Sequence, residues 1–185
     1  MTAQTQSRRR MSAASAVASV RSKPAVKAVV RRSSNAEQVN WSKDWRFESL
    51  HDCEPMARVE LVKRGVPASV AATIAGRMGI SKERMYATLG LSRATVERKV
   101  RESKPLSPDE SSRVLGVGSL VGQVQRMVDE SGNAAGFDAA QWLAGWLDEP
   151  LAALAGMRPA ELMDTTEGQA IVARILSRAQ SGAFS

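Results

Sequence analysis

The sequence predicts an all-α protein: a disordered basic tail, a helix-turn-helix module and a second small helical module. Three observations carry that expectation. Hydrophobic residues make up 43% of 185 residues and aromatic ones only 4%, with Ala, Leu, Val and Met supplying most of the apolar load; strands are instead rich in β-branched and aromatic residues. Helix start and stop signals recur: Ser or Thr caps, Pro in first turns, Gly at the ends. No stretch has a strand pattern and no segment repeats.

The elements follow in order. Residues 1–40 are built from Ala, Ser, Val, Arg and Gln and bury too little apolar surface to offset chain entropy, so disorder is expected. Residues 41–57 hold two of the four Trp and one of the three Phe at irregular spacing and read as a connector that packs on the body. The helix-turn-helix module is expected over 58–104 and the second module over 105–185. A helix over Met56–Lys63 ends at Gly65. Pro67 suits the first turn of the next, with Val70, Ala71, Ile74, Ala75 and Met78 on one side and Gly79 as the stop. Ser81 caps Lys82–Leu89, Gly90 turns the chain, and Ser92 caps Arg93–Arg101.

The second module opens on Ser107-Pro108-Asp109-Glu110, a capping box with Pro in the first turn, and its helix runs to about Glu130. Gly132 and Gly136 bound a loop. Phe137–Leu147 reads as a helix with Trp142, Leu143, Trp146 and Leu147 at core spacing, closed by Pro150. A turn over Leu151–Ala155 and a short helix over Pro159–Met163 follow. Thr166 with Gln169 gives a second capping box for Glu167–Gln180, and Gly182 ends that helix before Ala183-Phe184-Ser185.

The net charge of +7 is unevenly placed. Residues 1–36 hold eight Lys or Arg and no acid; 58–104 hold 11 basic and 4 acidic residues; 105–185 hold 5 basic and 10 acidic. The basic parts suit phosphate contacts. The acidic end is repelled by DNA, so its expected partner is something else.

Several classes are excluded. One Cys (Cys53) and one His (His51) cannot make a disulfide framework or a Cys/His zinc site, and neither metal nor cofactor is expected. As nucleophile and base they stand in a short polar stretch that fits unrelated surface residues better. No paired carboxylates lie in an apolar setting, no phosphate-loop glycines occur, and Glu149 and Asp164 read as caps or solvated residues, so no enzyme is expected. No apolar run nears the ~20 residues that span a bilayer. The acid-free, Arg- and Ser-rich start is like an organelle transit peptide. A disordered extension on a cytoplasmic protein is the simpler reading, and a start at Met11 is a further alternative.

Lys82–Val100 carries the sharpest local signal, a hairpin that lays its second helix in the DNA major groove. Gly90 tolerates the positive φ of the turn, and Leu89, Leu91 and Val96 face inward. Ser92, Arg93, Thr95 and Arg98 face out near the N-terminus of the second helix, with Lys99 and Arg101 available for phosphates. Tyr86 stands where a small residue usually lets the helices approach, and Lys99 where an apolar residue often anchors the second helix. The alternative is a basic hairpin that merely packs.

The segments Ser107–Val128 and Phe137–Ser185 together resemble an antitoxin of the Xre/MbcA/ParS type. The resemblance covers residues from about 65 to 185. Its sharpest piece is a Trp-Leu helix, a Pro-Leu turn, a Gly-x-x-Pro-x-Glu-Leu-x-Asp-Thr segment (Gly156–Thr165) and a last helix running into Gly-Ala-Phe-Ser. The resemblance implies an N-terminal Xre-like helix-turn-helix, a C-terminal toxin-binding domain, and a RES-domain toxin partner that attacks NAD or ADP-ribosylates a target. It further implies that the antitoxin's end blocks the toxin's active site and that the complex, with the antitoxin as a homo-oligomer, represses its own promoter. Gly182, Ala183, Phe184 and Ser185 would be the inserting end, flanked by Arg174, Ser177 and Arg178. Gly156, Pro159, Glu161, Leu162 and Asp164 would be fold determinants. Two places depart from the family: Arg158 replaces the usual Thr before the Pro, losing a cap, and Ala179-Gln180-Ser181 replaces a bulkier, charged approach to the end. A stand-alone helix-turn-helix regulator whose second module only dimerises is the competing expectation.

Overall fold

The chain's structure, a computed structural model, describes residues 41, 46–132 and 135–180, so the tail over 1–40 and the end over 181–185 lie outside the described residues. The described residues are helical, with no strand. In chain order the elements are α1 (Phe47–His51), α2 (Pro55–Arg64), α3 (Ser69–Arg77), α4 (Lys82–Thr88), α5 (Arg93–Arg101) and the long α6 (Pro108–Ser131). After these come α7 (Ala139–Trp146), two 3-10 turns, η1 (Ala152–Leu154) and η2 (Pro159–Leu162), and α8 (Thr166–Gln180).

Local chemistry sets the helix starts. The Ser81 and Ser92 hydroxyls accept the Arg84 and Thr95 amides. At α6 the box closes both ways: Ser107 Oγ accepts the Glu110 amide at 3.3 Å and the Glu110 carboxylate accepts the Ser107 amide at 2.7 Å. Two starts carry an acid the sequence reading had not used. The Glu54 carboxylate accepts the Met56 and Ala57 amides ahead of α2, and the Asp138 carboxylate accepts the Ala140 and Gln141 amides ahead of α7. α7 therefore starts at Ala139, two residues later than the apolar pattern suggested.

Three expectations need correction. Pro67 is not in the first turn of α3, which starts at Ser69; Pro67 instead bridges Pro105, where the Leu106 amide donates to the Val66 carbonyl at 2.8 Å. That pairing closes the helix-turn-helix module onto the start of α6. The box at α8 uses Thr165, not Thr166: Thr165 Oγ1 accepts the Gly168 amide at 3.0 Å. Gln169 does not return to the cap but turns inward, 6% exposed, and donates to the carbonyls of Arg113 and Met163. The stretch read as a connector contains α1, whose Leu50 is buried at 1% exposure against α6.

α6 is the axis of the described structure. Ser111, Val114, Leu115, Val117, Leu120, Val121, Gln123 and Val124 are all buried, so its middle turns, 114–124, are enclosed on nearly every side while its first turn is exposed at Pro108 and Asp109. One continuous apolar cluster runs through it and takes in Leu61, Ile74, Met85, Val96, Leu143, Met163 and Leu176. The two modules thus share one core. Gln123 reinforces the pairing with α8 by donating to the Ala173 carbonyl at 3.0 Å and to Ser177 Oγ at 2.8 Å.

Candidate nucleic-acid and partner interfaces

The hairpin forms as the sequence predicts. Gly90 has φ +60 and the Leu91 amide reaches back to the Tyr86 carbonyl at 2.8 Å, which ends α4 and redirects the chain. Leu89, Leu91 and Val96 are buried. Tyr86 is itself in the core at 2% exposure. Burial raises the pKa of its phenol above the ordinary value, so it is neutral.

α5 sorts the expected DNA contacts into two groups. Arg93 and Arg98 are exposed, with side chains 60% and 52% accessible. Each rests on acids: Arg93 on Glu97 at 3.0 Å and Glu83 at 3.4 Å, Arg98 on Glu102 at 3.3 Å. Hydrogen bonds from Arg93 and Lys82 hold the Glu97 carboxyl below its ordinary pKa, and Lys104 acts likewise on Glu102. Such exposed pairs contribute little and yield readily to phosphate. Arg101 is exposed and makes no ion pair among the described residues. Ala94 is also exposed on this helix, a small apolar contact of the kind that meets a thymine methyl.

Ser92, Thr95 and Lys99 are engaged within the protein. Ser92 Oγ accepts both the amide and the hydroxyl of Thr95. Lys99, at the position where an apolar anchor was expected, ion-pairs with Glu110 of the α6 capping box, both side chains being about 15% exposed. Burial on its own raises the Glu110 pKa, but the Lys99 ammonium and the Ser107 amide and hydroxyl outweigh it and hold the carboxyl below its ordinary range. The anchor is electrostatic rather than apolar.

Within the acidic module, α8 buries Val172, Ile175 and Leu176 and exposes Arg174 and Arg178. These two arginines flank an open hollow of about 630 Å³ with Ala153, Ile171 and Ile175. Ser177 is exposed, but its hydroxyl is tied to Gln123 and to the Ala173 carbonyl. Gly182, Ala183, Phe184 and Ser185 lie outside the described residues. In the Gly156–Thr165 segment, Gly156 has φ +86, Pro159 is buried, and the Glu161 carboxylate accepts the Arg158 amide at 3.1 Å. Arg158 offers no acceptor in return, so only half of a capping box is present.

A surface not foreseen lies on α7. Trp142, expected in the core, is 42% exposed and stacks on Trp146 with ring centroids 6.1 Å apart; Phe137 is 6.1 Å away on its other side. The helical spacing was right, but the burying neighbour on the Trp142 side is absent among the described residues.

A helix-turn-helix built onto an acidic helical module defines a two-part regulatory protein. Residues 57–117 match the antitoxin Xre-like helix-turn-helix domain, and residues 134–182 match the antitoxin Xre/MbcA/ParS C-terminal toxin-binding domain. The Prs ADP-ribosylating antitoxin of Sphingobium sp. (strain YBL2) is 44% identical over 138 residues, 75% of this chain and 87% of the relative. The chain belongs to the Xre/MbcA/ParS antitoxin family. It is an antitoxin with a helix-turn-helix and a toxin-binding domain; its partner is a toxin, and neither matched family is catalytic. No helix of the described residues is long and apolar enough to cross a membrane.

Proposed function

We propose that this antitoxin neutralises a RES-domain toxin, one that consumes NAD or uses it to ADP-ribosylate a target, by placing Gly182–Ser185 in the toxin's active-site cleft. The observation that carries this reading is the end of α8, where exposed Arg174 and Arg178 border an open apolar hollow directly before those residues. The acidic module supports it electrostatically, since a cleft that binds a pyrophosphate is electropositive. Ser177, exposed on α8 and held in place by Gln123, flanks the same end. Co-expression with the product of the adjacent gene tests it. Deleting Ala183–Ser185 is expected to abolish growth rescue while the complex still co-purifies; full rescue by the truncated chain removes the insertion mechanism.

The same complex represses its own operon in the cytoplasm, with antitoxin copies presenting α5 to successive half-sites of operator DNA. Arg93 and Arg98 read bases or phosphates after releasing Glu97 and Glu102, and Arg101 meets phosphate. Replacing Arg93 and Arg98 together with Ala is expected to weaken operator binding at least about tenfold and leave toxin capture intact. Replacing Arg101 alone lowers the slope of log affinity against log salt by about 1. An unchanged affinity in the double variant takes α5 out of the mechanism.

A further inference from the structure

Arg113, on α6, joins three places far apart in sequence. Its Nη1 donates to the Leu89 carbonyl at 2.5 Å, the Gly90 carbonyl at 3.1 Å and the Asp164 carbonyl at 3.4 Å, and its Nη2 donates to Asp109 at 2.6 Å. The side chain is only 13% exposed, while Asp109 is 78% exposed. Its Nε is buried without an acceptor among the described residues. A guanidinium so far out of water is costly unless its partners are fixed. Most of them here are main-chain carbonyls, two of which are at the end of α4, where the helix dipole is negative.

Those carbonyls belong to the turn that aims α5. Gly90 is pressed against both partners: a Cβ there would stand 3.0 Å from Arg113 Nη1 and 3.3 Å from the Asp164 side chain. One residue on, the Leu91 amide is bonded to Tyr86, and Ser92 caps α5. On the opposite side, Gln169 of α8 donates to the Arg113 carbonyl at 3.0 Å and to that of Met163 at 2.9 Å. One residue therefore touches the turn before α5, the loop before α8 and, through its main chain, α8 itself.

From this geometry we propose that Arg113 is a positioning residue for DNA recognition: it fixes the direction in which α5 leaves the turn relative to the toxin-binding module. The proposal rests on the DNA-reading role of α5 put forward above. A toxin held at α8 then carries the reading helix in a set orientation. Lysine cannot replace arginine here, because a single ammonium lacks the fork that spans the turn and Asp109 together.

The test uses the full chain with Arg113→Gln and Arg113→Lys. Binding is measured by fluorescence anisotropy on duplex DNA from upstream of the chain's own gene, beside co-purification with the adjacent gene's product and amide hydrogen exchange. Arg113→Gln is expected to lose about tenfold or more in DNA affinity, the weight of a lost base contact, and to capture the toxin as the unaltered chain does. Arg113→Lys falls between the two, with faster exchange at the Leu91 and Val96 amides. Leu143→Ala, which weakens the core on α7 without removing any bond to the turn, is the control and keeps its DNA affinity below its own melting temperature. Unaltered affinity in Arg113→Gln, or an equal loss in Leu143→Ala, overturns the proposal. If Arg113→Gln does not fold, Arg113→Lys decides: unchanged affinity with unchanged exchange overturns it. If the unaltered chain ignores this DNA, the reading role of α5 falls and this proposal with it, an outcome distinct from a failure at Arg113 alone.

Discussion

Lys99 shows how a residue can match a motif's composition and still serve another end. Its basic character suggested phosphate contact, while its place suggested an apolar anchor. The structure satisfies the second need with an ion pair to Glu110, itself part of the α6 capping box. The pair makes stability depend on acidity in a stated direction. Glu110's folded pKa lies below its ordinary value of 4.5, so the unfolded chain takes up the proton first on acidification. Its stabilisation is complete above that value and fades as pH falls below it toward the folded pKa. Glu110→Gln keeps an acceptor for the cap but loses the charge. It is expected to cost about 1 kcal/mol at pH 7 in urea unfolding and to flatten the drop in stability as pH falls below the ordinary carboxyl range. An acid-side slope equal to that of the unaltered chain would show that other carboxylates set it. The sequence contains both residues, but their separation of 11 positions across a turn has no local signature.

At the scale of elements, the helices with caps and long apolar stripes were legible and the short one was not. Ser81, Ser92 and the Ser107–Glu110 box each announce a start through a side chain that satisfies a free amide. α1 has five residues, too few for periodicity, and its stability comes from what it lies on. The signal for that docking is on the other helix. A Cβ at Gly122 of α6 would fall 2.3 Å from the Phe47 carbonyl, and one at Gly118 would fall 2.5 Å from the Leu50 side chain. A single sequence marks these only as glycines inside a helix. The consequence is a contrast between two identical substitutions. Gly145→Ala on α7, where nothing lies within 4 Å of the new carbon, is expected to stabilise by about 0.5–1 kcal/mol through helix propensity alone. Gly122→Ala meets rigid backbone, so the clash outweighs the same propensity gain, and a net loss of about 1–3 kcal/mol is expected with α1 released. Thermal melts rank the two variants, and proteolysis near Phe47–His51 reports the release. A more stable Gly122→Ala would mean that α1 does not sit on α6 in solution.

At the scale of the whole molecule, the charge map divides the chain near residue 105, whereas the helix-turn-helix match runs on to residue 117 and packing makes no division there. α6 opens the acidic module in sequence, yet it buries Leu50 of α1 against Gly118 and takes Val66 of the helix-turn-helix module onto Ser111, whose Oγ accepts the Val66 amide at 3.1 Å. The Lys99–Glu110 and Arg84–Asp148 pairs and the Arg113 bonds cross the same boundary. Cutting there would strip α6 of one wall of its enclosure and expose Val114, Val117 and Val121, each at most 1% accessible in the whole chain. Surface of that kind contributes about 25 cal/mol per Å². The loss is comparable with the full stability of a module of some 80 residues. A fragment of residues 105–185 is therefore expected to unfold without a cooperative transition, to bind a hydrophobic dye, and to capture the toxin more weakly than the chain from residue 41 onward, which melts in one step. Calorimetry on the two fragments decides the matter. A sharp, independent transition for 105–185 would show that the toxin-binding module folds alone and that the shared core is only contact between two finished domains.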